Sequence, residues 1–311
     1  MIIKAPIDLE LTQNSGQTSQ PPWKLDNNIY SDVVVADNKA VLFQVKQKEN
    51  NLDFNFIGDI SNKEVTKKIK TIFDLDFNLN KFYKYLNNQL ELADMTNFCR
   101  DLRLFLAKDK FECVISSVCS ANNSIVRWTK SIDDIKKSWG NKYTYSEKDY
   151  FTFPDVSDFK NIYCDDVEEF ECCSNLNNPG ECINNLKSCG VGYRAPYMKK
   201  ASEIFTLEMD LDDISKMSYD EAFDTMLKVP GVGPKVADCI LLYGFNFRQA
   251  FPTDVWIKRI VSYLYFDGKD INVSKIREFG MEEFGDYAGY VQLYLFHYAR
   301  MSGLMKKLKG M

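Results

Sequence analysis

The sequence predicts an α+β protein: an amino-terminal antiparallel β-sheet module over residues 1–105, then a mostly α-helical domain over 106–311. Three observations predict it. Apolar and polar residues alternate at Ile7, Leu9 and Leu11, through AVLFQV at 40–45, and at Leu52, Phe54 and Phe56, the period of half-buried strands. From about residue 66 the apolar spacing becomes helical, and from 111 onward it is nearly all helical, punctuated by Ser, Asn, Asp and Gly. At 311 residues the chain can bury two cores, so two modules sharing an interface follow.

In the first module the turn-like ADNK at 36–39 precedes the second strand, and short turns of this kind join neighbouring strands. In the second, residues 155–190 have weak periodicity and many Asn, Asp, Glu and Cys, which predicts irregular surface. Five of the nine cysteines fall there: Cys164, Cys172, Cys173, Cys182 and Cys189. They include no C-x2-C pair and lie far from the one histidine, His297, so the reading is reduced thiols and no metal. A single histidine also excludes mechanisms that need several. The first residues lack the basic stretch and apolar run of an export signal, and no window is apolar for long enough to span a bilayer. A soluble, intracellular protein is expected. The net charge of −5 argues mildly against a nucleic-acid partner, but acidic residues concentrate in DDVEEFE while basic ones gather elsewhere, as in KKLK near the end.

The most informative stretch begins at Ser218, which with Glu221 has the spacing of a capping box and opens a helix through EAFDTMLKV. Pro230 stops that helix, and Gly231 and Gly233 permit a tight turn that a Cβ would obstruct. Pro234 suits the first position of the next helix, PKVADCILLYG. The pattern predicts a helical hairpin at about 219–243, in which the backbone amides of Gly231, Val232 and Gly233 stand next to a helix N-terminus and can receive a phosphate oxygen. Lys235 lies in the first turn after it, where the positive helix end disfavours the ammonium and favours a nucleophilic amine. Asp254, in FPTDVW, precedes another apolar-periodic run and is placed to cap that helix. A carboxylate fixed there could deprotonate the amine or stabilise a developing cation. The same residues also admit a phosphate-contacting lysine and a purely structural cap.

LKVPGVGPKVADCILL followed by AFPTDVWIKRI resembles the helix-hairpin-helix and Gly-Pro-Asp signature of the base-excision DNA glycosylases, most closely the 8-oxoguanine glycosylases of the eukaryotic type. The resemblance covers most of the chain, including the β module. It implies a DNA glycosylase with an associated lyase activity, acting on duplex DNA that carries an oxidised guanine, as a monomer and without a cofactor. Lys235 would be the nucleophile and Asp254 its catalytic partner. Gly16, in NSGQT, would offer the carbonyl that senses the N7 hydrogen of 8-oxoguanine, with Cys239, Gln292 and Phe296 lining the base. Asn122 and Arg127, in FECVISSVCSANNSIVRW, and Tyr193 and Arg194, in GVGYRAPY, would contact the widowed cytosine and wedge the duplex.

Spacing agrees with the slot, because Gln292 and Phe296 are four apart, as are Lys235 and Cys239, so each pair shares a helix face. Departures also stand out. Trp256 occupies the place of a histidine two residues after the aspartate, an insertion in SQPPWKL displaces the expected aromatic to Trp23, and no cysteine follows Cys239, which removes the iron–sulfur cluster of the endonuclease III branch. Two other readings remain: a monofunctional alkylation-type glycosylase working with Asp254 alone, and a non-catalytic DNA-binding module.

Overall fold

Pairs of Asn and Asp in the left-handed region set the amino-terminal topology. Asn27–Asn28 and Asp37–Asn38 have φ of 49° and 62°, and 50° and 60°, the two successive positive values that a tight hairpin turn needs to match the twist of its strands. They join β2 (Lys24–Asp26), β3 (Ile29–Ala36) and β4 (Lys39–Lys48), which with β5 (Asn51–Ile57) and β1 (Ile2–Ile3) form one antiparallel sheet in the order β1-β5-β4-β3-β2. The computed structural model describes residues 1–164 and 184–309 of the chain. In register, Val34 faces Val41 and Val45 faces Phe54, and this apolar face closes on Val65, Ile69 and Ile72 of α2 (Asn62–Ile72).

Two expectations are corrected in this part of the chain. The alternation of Ile7, Leu9 and Leu11 is not a strand. The Asp8 carboxylate accepts from the Leu11 amide at 2.8 Å and caps α1 (Leu9–Asn14), so Ile7 and Leu9 enter the sheet core while Leu11 packs against the other core. The helical run after 111 is interrupted by a hairpin of β6 (Lys142–Tyr145) and β7 (Lys148–Phe151). Its Tyr150 covers Val33 and Leu42 on the outer face of the sheet, so that face too is partly dry.

The helices α3 (Leu79–Asn87) and α4 (Met95–Phe98) bury their apolar residues in a second, larger core. That core is completed by α5 (Lys110–Ser120), α6 (Ile125–Trp139), α7 (Val156–Phe159), α8 (Ala195–Leu207), α9 (Leu211–Ile214), α10 (Tyr219–Leu227), α11 (Pro234–Phe245), α12 (Val255–Tyr265), α13 (Val273–Phe284), α14 (Ala288–Met301) and α15 (Leu304–Lys309). Helix starts follow capping chemistry: Asp109, Ser124, Ser218, Asp254 and Asn272 each accept from an amide of their own first turn. Of the stretch expected to be irregular, the described residues include α7 and a 3₁₀ turn at Leu186–Cys189, with Tyr163 bridged to Asn185. Cys172, Cys173 and Cys182 lie outside the described residues.

Between the two cores the chain runs from Leu102 to Ala107 outside any helix or strand. A buried backbone must still satisfy its N–H and C=O groups, and side chains from both sides do so here. Gln17 donates to the Arg103 carbonyl at 3.0 Å and accepts from the Phe105 amide at 2.8 Å. Gln20 donates to Leu106 O, Tyr294 to Leu102 O, and the Arg103 and Leu104 amides find Thr12 Oγ1 and Tyr290 Oη. Arg103 itself is buried, its guanidinium donating to the carbonyls of Pro6, Asp74 and Phe77 at 2.7–3.2 Å. Arg103→Met is expected to lower the unfolding free energy by about 3–5 kcal/mol, since it orphans acceptors of charge-assisted bonds worth roughly 1.5–3 kcal/mol each. Urea unfolding at unchanged m value measures this; a loss within the noise would mean that these carbonyls have other partners.

Candidate active site

The hairpin is built as its sequence dictates, with one difference. Ser218 and Glu221 make the reciprocal capping box that starts α10, and Pro234 opens α11. Gly231 has φ +82°, and a Cβ there would stand 2.6 Å from Cγ of Tyr197, so both backbone and neighbour demand glycine. Gly233 is different. Its φ of −92° is ordinary and a Cβ would meet nothing within 4 Å, so the turn does not require glycine there, and its smallness keeps the outer face of the turn open. Val232 is buried while Gly231 and Gly233 are exposed, which anchors the turn and leaves its outer side to solvent. Unlike its neighbours, α11 has no side-chain cap, so its first amides are free for an anion. Beneath, Asp238 is fully buried and receives Arg277 at 2.6 and 3.1 Å together with the Tyr219 hydroxyl. That bidentate pair ties α10, α11 and α13 together.

One cleft collects six of the sequence-predicted residues: Lys235 and Cys239 from α11, Asp254 from the start of α12, Gln292 and Phe296 from α14, and Gly16 from the loop after α1. Its cavity volume is about 70 Å³, against roughly 300 Å³ at the small end of ligand sites, so the walls must part before a base can enter. Asp254 Oδ1 accepts from the amides of Trp256 and Ile257 at 2.9 and 2.8 Å. This fixes the carboxylate, and among the described residues Oδ2 accepts no hydrogen bond. Burial pushes the Cys239 thiol up, with Lys235 pulling against it, so the thiol is held protonated beside the amine. Gln292 is buried and its Oε1 has no hydrogen-bond partner among the described residues. An orphan acceptor of this kind costs about 1–3 kcal/mol until something donates to it.

Asn122, Arg127 and Tyr193 are not in the cleft; all three are exposed, Asn122 with φ +50° just beyond the end of α5. Arg194 is brought to the same place but turned inward. It is 8% exposed, donating to the carbonyls of Ala121 at 2.5 and 2.8 Å, Asn122 at 3.0 Å and Val191 at 3.3 Å, with the Tyr193 ring over its guanidinium at 4.4 Å. In this state Arg194 shapes the loop that carries Asn122.

Comparison with known proteins agrees with this geometry. Residues 1–114 match the family model described as the 8-oxoguanine DNA glycosylase N-terminal domain, and residues 115–285 match that of the HhH-GPD superfamily base excision DNA repair proteins. A probable N-glycosylase/DNA lyase of Methanothermobacter thermautotrophicus is 44% identical over 97% of this chain and 96% of its own. The chain belongs to the HhH-GPD superfamily of base-excision DNA repair proteins. Among solved structures, MBOgg1 in complex with a low-affinity DNA ligand is similar at a TM-score of 0.80 and 30% identity, covering 97% of this chain and 96% of its own. A Clostridium acetobutylicum 8-oxoguanine glycosylase/lyase, bound to double-stranded DNA with cytosine opposite 8-oxoG, gives 0.77 and 28%, covering 97% and 98%.

In this HhH-GPD chain the cleft also contains residues that sequence reading missed: Ser15, Gln17, Thr18, Tyr243, Pro252 and Leu293. Tyr243 was findable, being four residues beyond Cys239 on the same helix face; Gln17 was not, because its partners are 86 and 88 residues away. Trp256, two residues after Asp254, lies under the Arg259 guanidinium at 5.4 Å. Trp23, after the inserted residues, fills the sheet core edge-on to Phe73. Among the described residues no group of three or more His, Cys, Asp and Glu side chains could hold a metal ion, and no helix is long and apolar enough to cross a membrane.

His297 follows Phe296 and is the one histidine of the chain, so its titration can be followed alone. Burial and the Arg300 charge lower its pKa below 6.5, with Asp8 opposing. On acidification the unfolded imidazole therefore takes up its proton first, and stability falls from pH 6.5 down through the folded-state pKa. An imidazole NMR titration should give a midpoint below 6.5, and the loss of stability in that window should vanish in His297→Gln. A midpoint above 6.5 would contradict the burial.

Proposed function

We propose that this chain is a bifunctional DNA glycosylase and abasic-site lyase that excises 8-oxoguanine from duplex DNA, opposite cytosine, acting as a monomer. The observation that carries the reading is the meeting of an amine, a fixed carboxylate and an orphan amide carbonyl in one cleft behind the hairpin. The amine separates this reading from a monofunctional alkylation glycosylase, which needs only the carboxylate, and both groups together separate it from a bare DNA-binding module. The names of the relatives support the same activity.

The hairpin amides of Gly231, Val232 and Gly233 hold a backbone phosphate, and the damaged nucleotide is flipped into the cleft at an unstacking cost of a few kcal/mol. Gln292 Oε1 accepts from the N–H groups of a guanine Watson–Crick edge, Phe296 stacks on the ring, and the Gly16 carbonyl accepts from N7–H, which guanine lacks. Lys235 Nζ, having given a proton to water, forms a bond to C1′ as the bond from C1′ to the base breaks, and the electron pair leaves with the base. Asp254 stabilises the positive sugar. Opening of the C1′–O4′ bond yields the imine, loss of a C2′ proton follows, and the 3′ phosphate departs by β-elimination. Asn122, Arg127 and Tyr193 fill the gap and meet the estranged cytosine, with Arg194 beneath them.

Borohydride added to the protein with an 8-oxoguanine·cytosine duplex is expected to trap a covalent adduct that disappears in Lys235→Gln. Base release without an adduct would favour the monofunctional reading. Asp254→Asn should keep the helix cap and the fold while slowing excision by about 10²-fold or more; excision at the parent rate would remove the carboxylate from the mechanism. Gly16→Ala should damage excision of the lesion, because its Cβ would stand 2.5 Å from Ile125 Cδ1 at a φ of +87°. Unaltered excision would mean that the loop does not read the base.

A further inference from the structure

Within the proposed lesion-excision reading, one residue outside the cleft lining stands between its two recognition elements. Arg300 lies in the last turn of α14, four residues beyond Phe296 and eight beyond Gln292, so the three share a helix face. Its Nη1 donates to the carbonyl of Ser15 at 3.3 Å, and its guanidinium sits over the Phe296 ring at 5.7 Å. The same Nη1 is 3.8 Å from where a Cβ of Gly16 would be, and Ile125 Cδ1 is 2.5 Å from that point.

The Ser15 carbonyl belongs to the peptide plane that enters Gly16. Glycine at φ +87° has no Cβ to restrict it, so the orientation of its own carbonyl is set by what holds the planes on either side. The following residue, Gln17, is held by its buried bonds to Arg103 O and the Phe105 amide. The preceding plane is held by Arg300. Reading a single hydrogen requires the sensing carbonyl to be placed within about 0.5 Å, and the stacking ring must keep a fixed distance from it. One planar guanidinium touches both parts, where a lysine would offer a point charge on a flexible stem.

We propose that Arg300 is a positioning residue for lesion discrimination, fixing the Ser15–Gly16 peptide relative to the Phe296 ring. It touches neither Lys235 nor Asp254 in this arrangement, so the lyase step on a site that already lacks its base does not depend on it.

The test compares the parent with R300A and R300Q in two assays: single-turnover excision from an 8-oxoguanine·cytosine duplex, with an undamaged guanine duplex alongside, and cleavage of a preformed abasic site. R300A is expected to slow lesion excision about tenfold or more and to narrow the margin over guanine. The rate should fall more than duplex affinity does, and abasic cleavage should stay within about twofold of the parent. R300Q keeps a donor for the Ser15 carbonyl without the charge and should recover part of the loss. Three results would overturn the proposal: excision by R300A at the parent rate, an equal fall in both assays, or no recovery in R300Q. An equal fall would indicate loss of DNA binding or of the fold. If the parent itself neither excises the lesion nor traps an adduct, the proposed activity fails, independently of Arg300.

Discussion

Residues 102–107 cross the middle of the molecule without a neighbouring strand, so their buried backbone must find its partners one by one. Those partners come from α1 and the loop after it, from the end of α2, from α14 and, through the Tyr243 carbonyl that receives the Ala107 amide, from α11. Of these, the loop after α1, α11 and α14 also wall the cleft. The segment thus acts as a template against which the loop proposed to sense the lesion, the lysine helix and the helix proposed to carry the stacking ring are aligned. A two-module chain gains from this, because an orphaned peptide group costs about 1–3 kcal/mol, and any slippage between modules would orphan several at once. The Arg103 guanidinium, spent on three carbonyls of the first module's connections, extends the same alignment to the sheet.

Against that rigid seam the cleft is left unfinished. Among the described residues the carbonyl oxygen of Gln292 has no donor and the α11 N-terminus no side-chain cap, and the cavity is too small for what it is proposed to hold. Each is a local cost that a DNA ligand removes: donors on a base, a phosphate at the amides, and a ring that parts the walls. Asp254 shows the opposite balance. One of its oxygens is committed to two amides and so cannot swing, which leaves the other in a defined direction. The Asp238–Arg277 pair does for the lysine helix what the cap does for the carboxylate, since it sits one residue before Cys239 and three after Lys235.

Legibility in the sequence followed the range of the interactions. The hairpin, its Ser218–Glu221 capping box and the pairs four residues apart were readable because each is decided within one or two turns, and the strands at 39–48 and 51–57 because alternation persisted for enough residues. At Ile7–Leu11 three residues of alternation were too few to outweigh a capping aspartate. The β6–β7 hairpin was hidden because four-residue strands carry little periodicity, and what stabilises them is the outer face of a distant sheet. Arg194 illustrates the remaining gap: its position in the chain was legible, while its inward turn depends on the carbonyls of Ala121 and Asn122 about seventy residues earlier. Tyr243 and Arg300 extend the Lys235–Cys239 and Gln292–Phe296 series by one more turn and needed only the same rule applied once more.

The acidic balance of the chain is reconciled with a DNA partner by the same economy. Many surface cations are already paired, as in Lys39–Asp59, Lys70–Asp76, Lys142–Asp149 and Lys148–Asp26, so net charge says little about the face that would meet phosphate. That face is made of amides at an uncapped helix start, whose partial charge is fixed by the peptide dipoles and independent of the count of lysines. In the proposed function, backbone anchoring positions the duplex without reading it, which leaves discrimination to the few side chains and the one carbonyl inside the cleft. On that proposal the residues deciding specificity lie where the seam holds them, and surface charge can drift without altering which base is recognised.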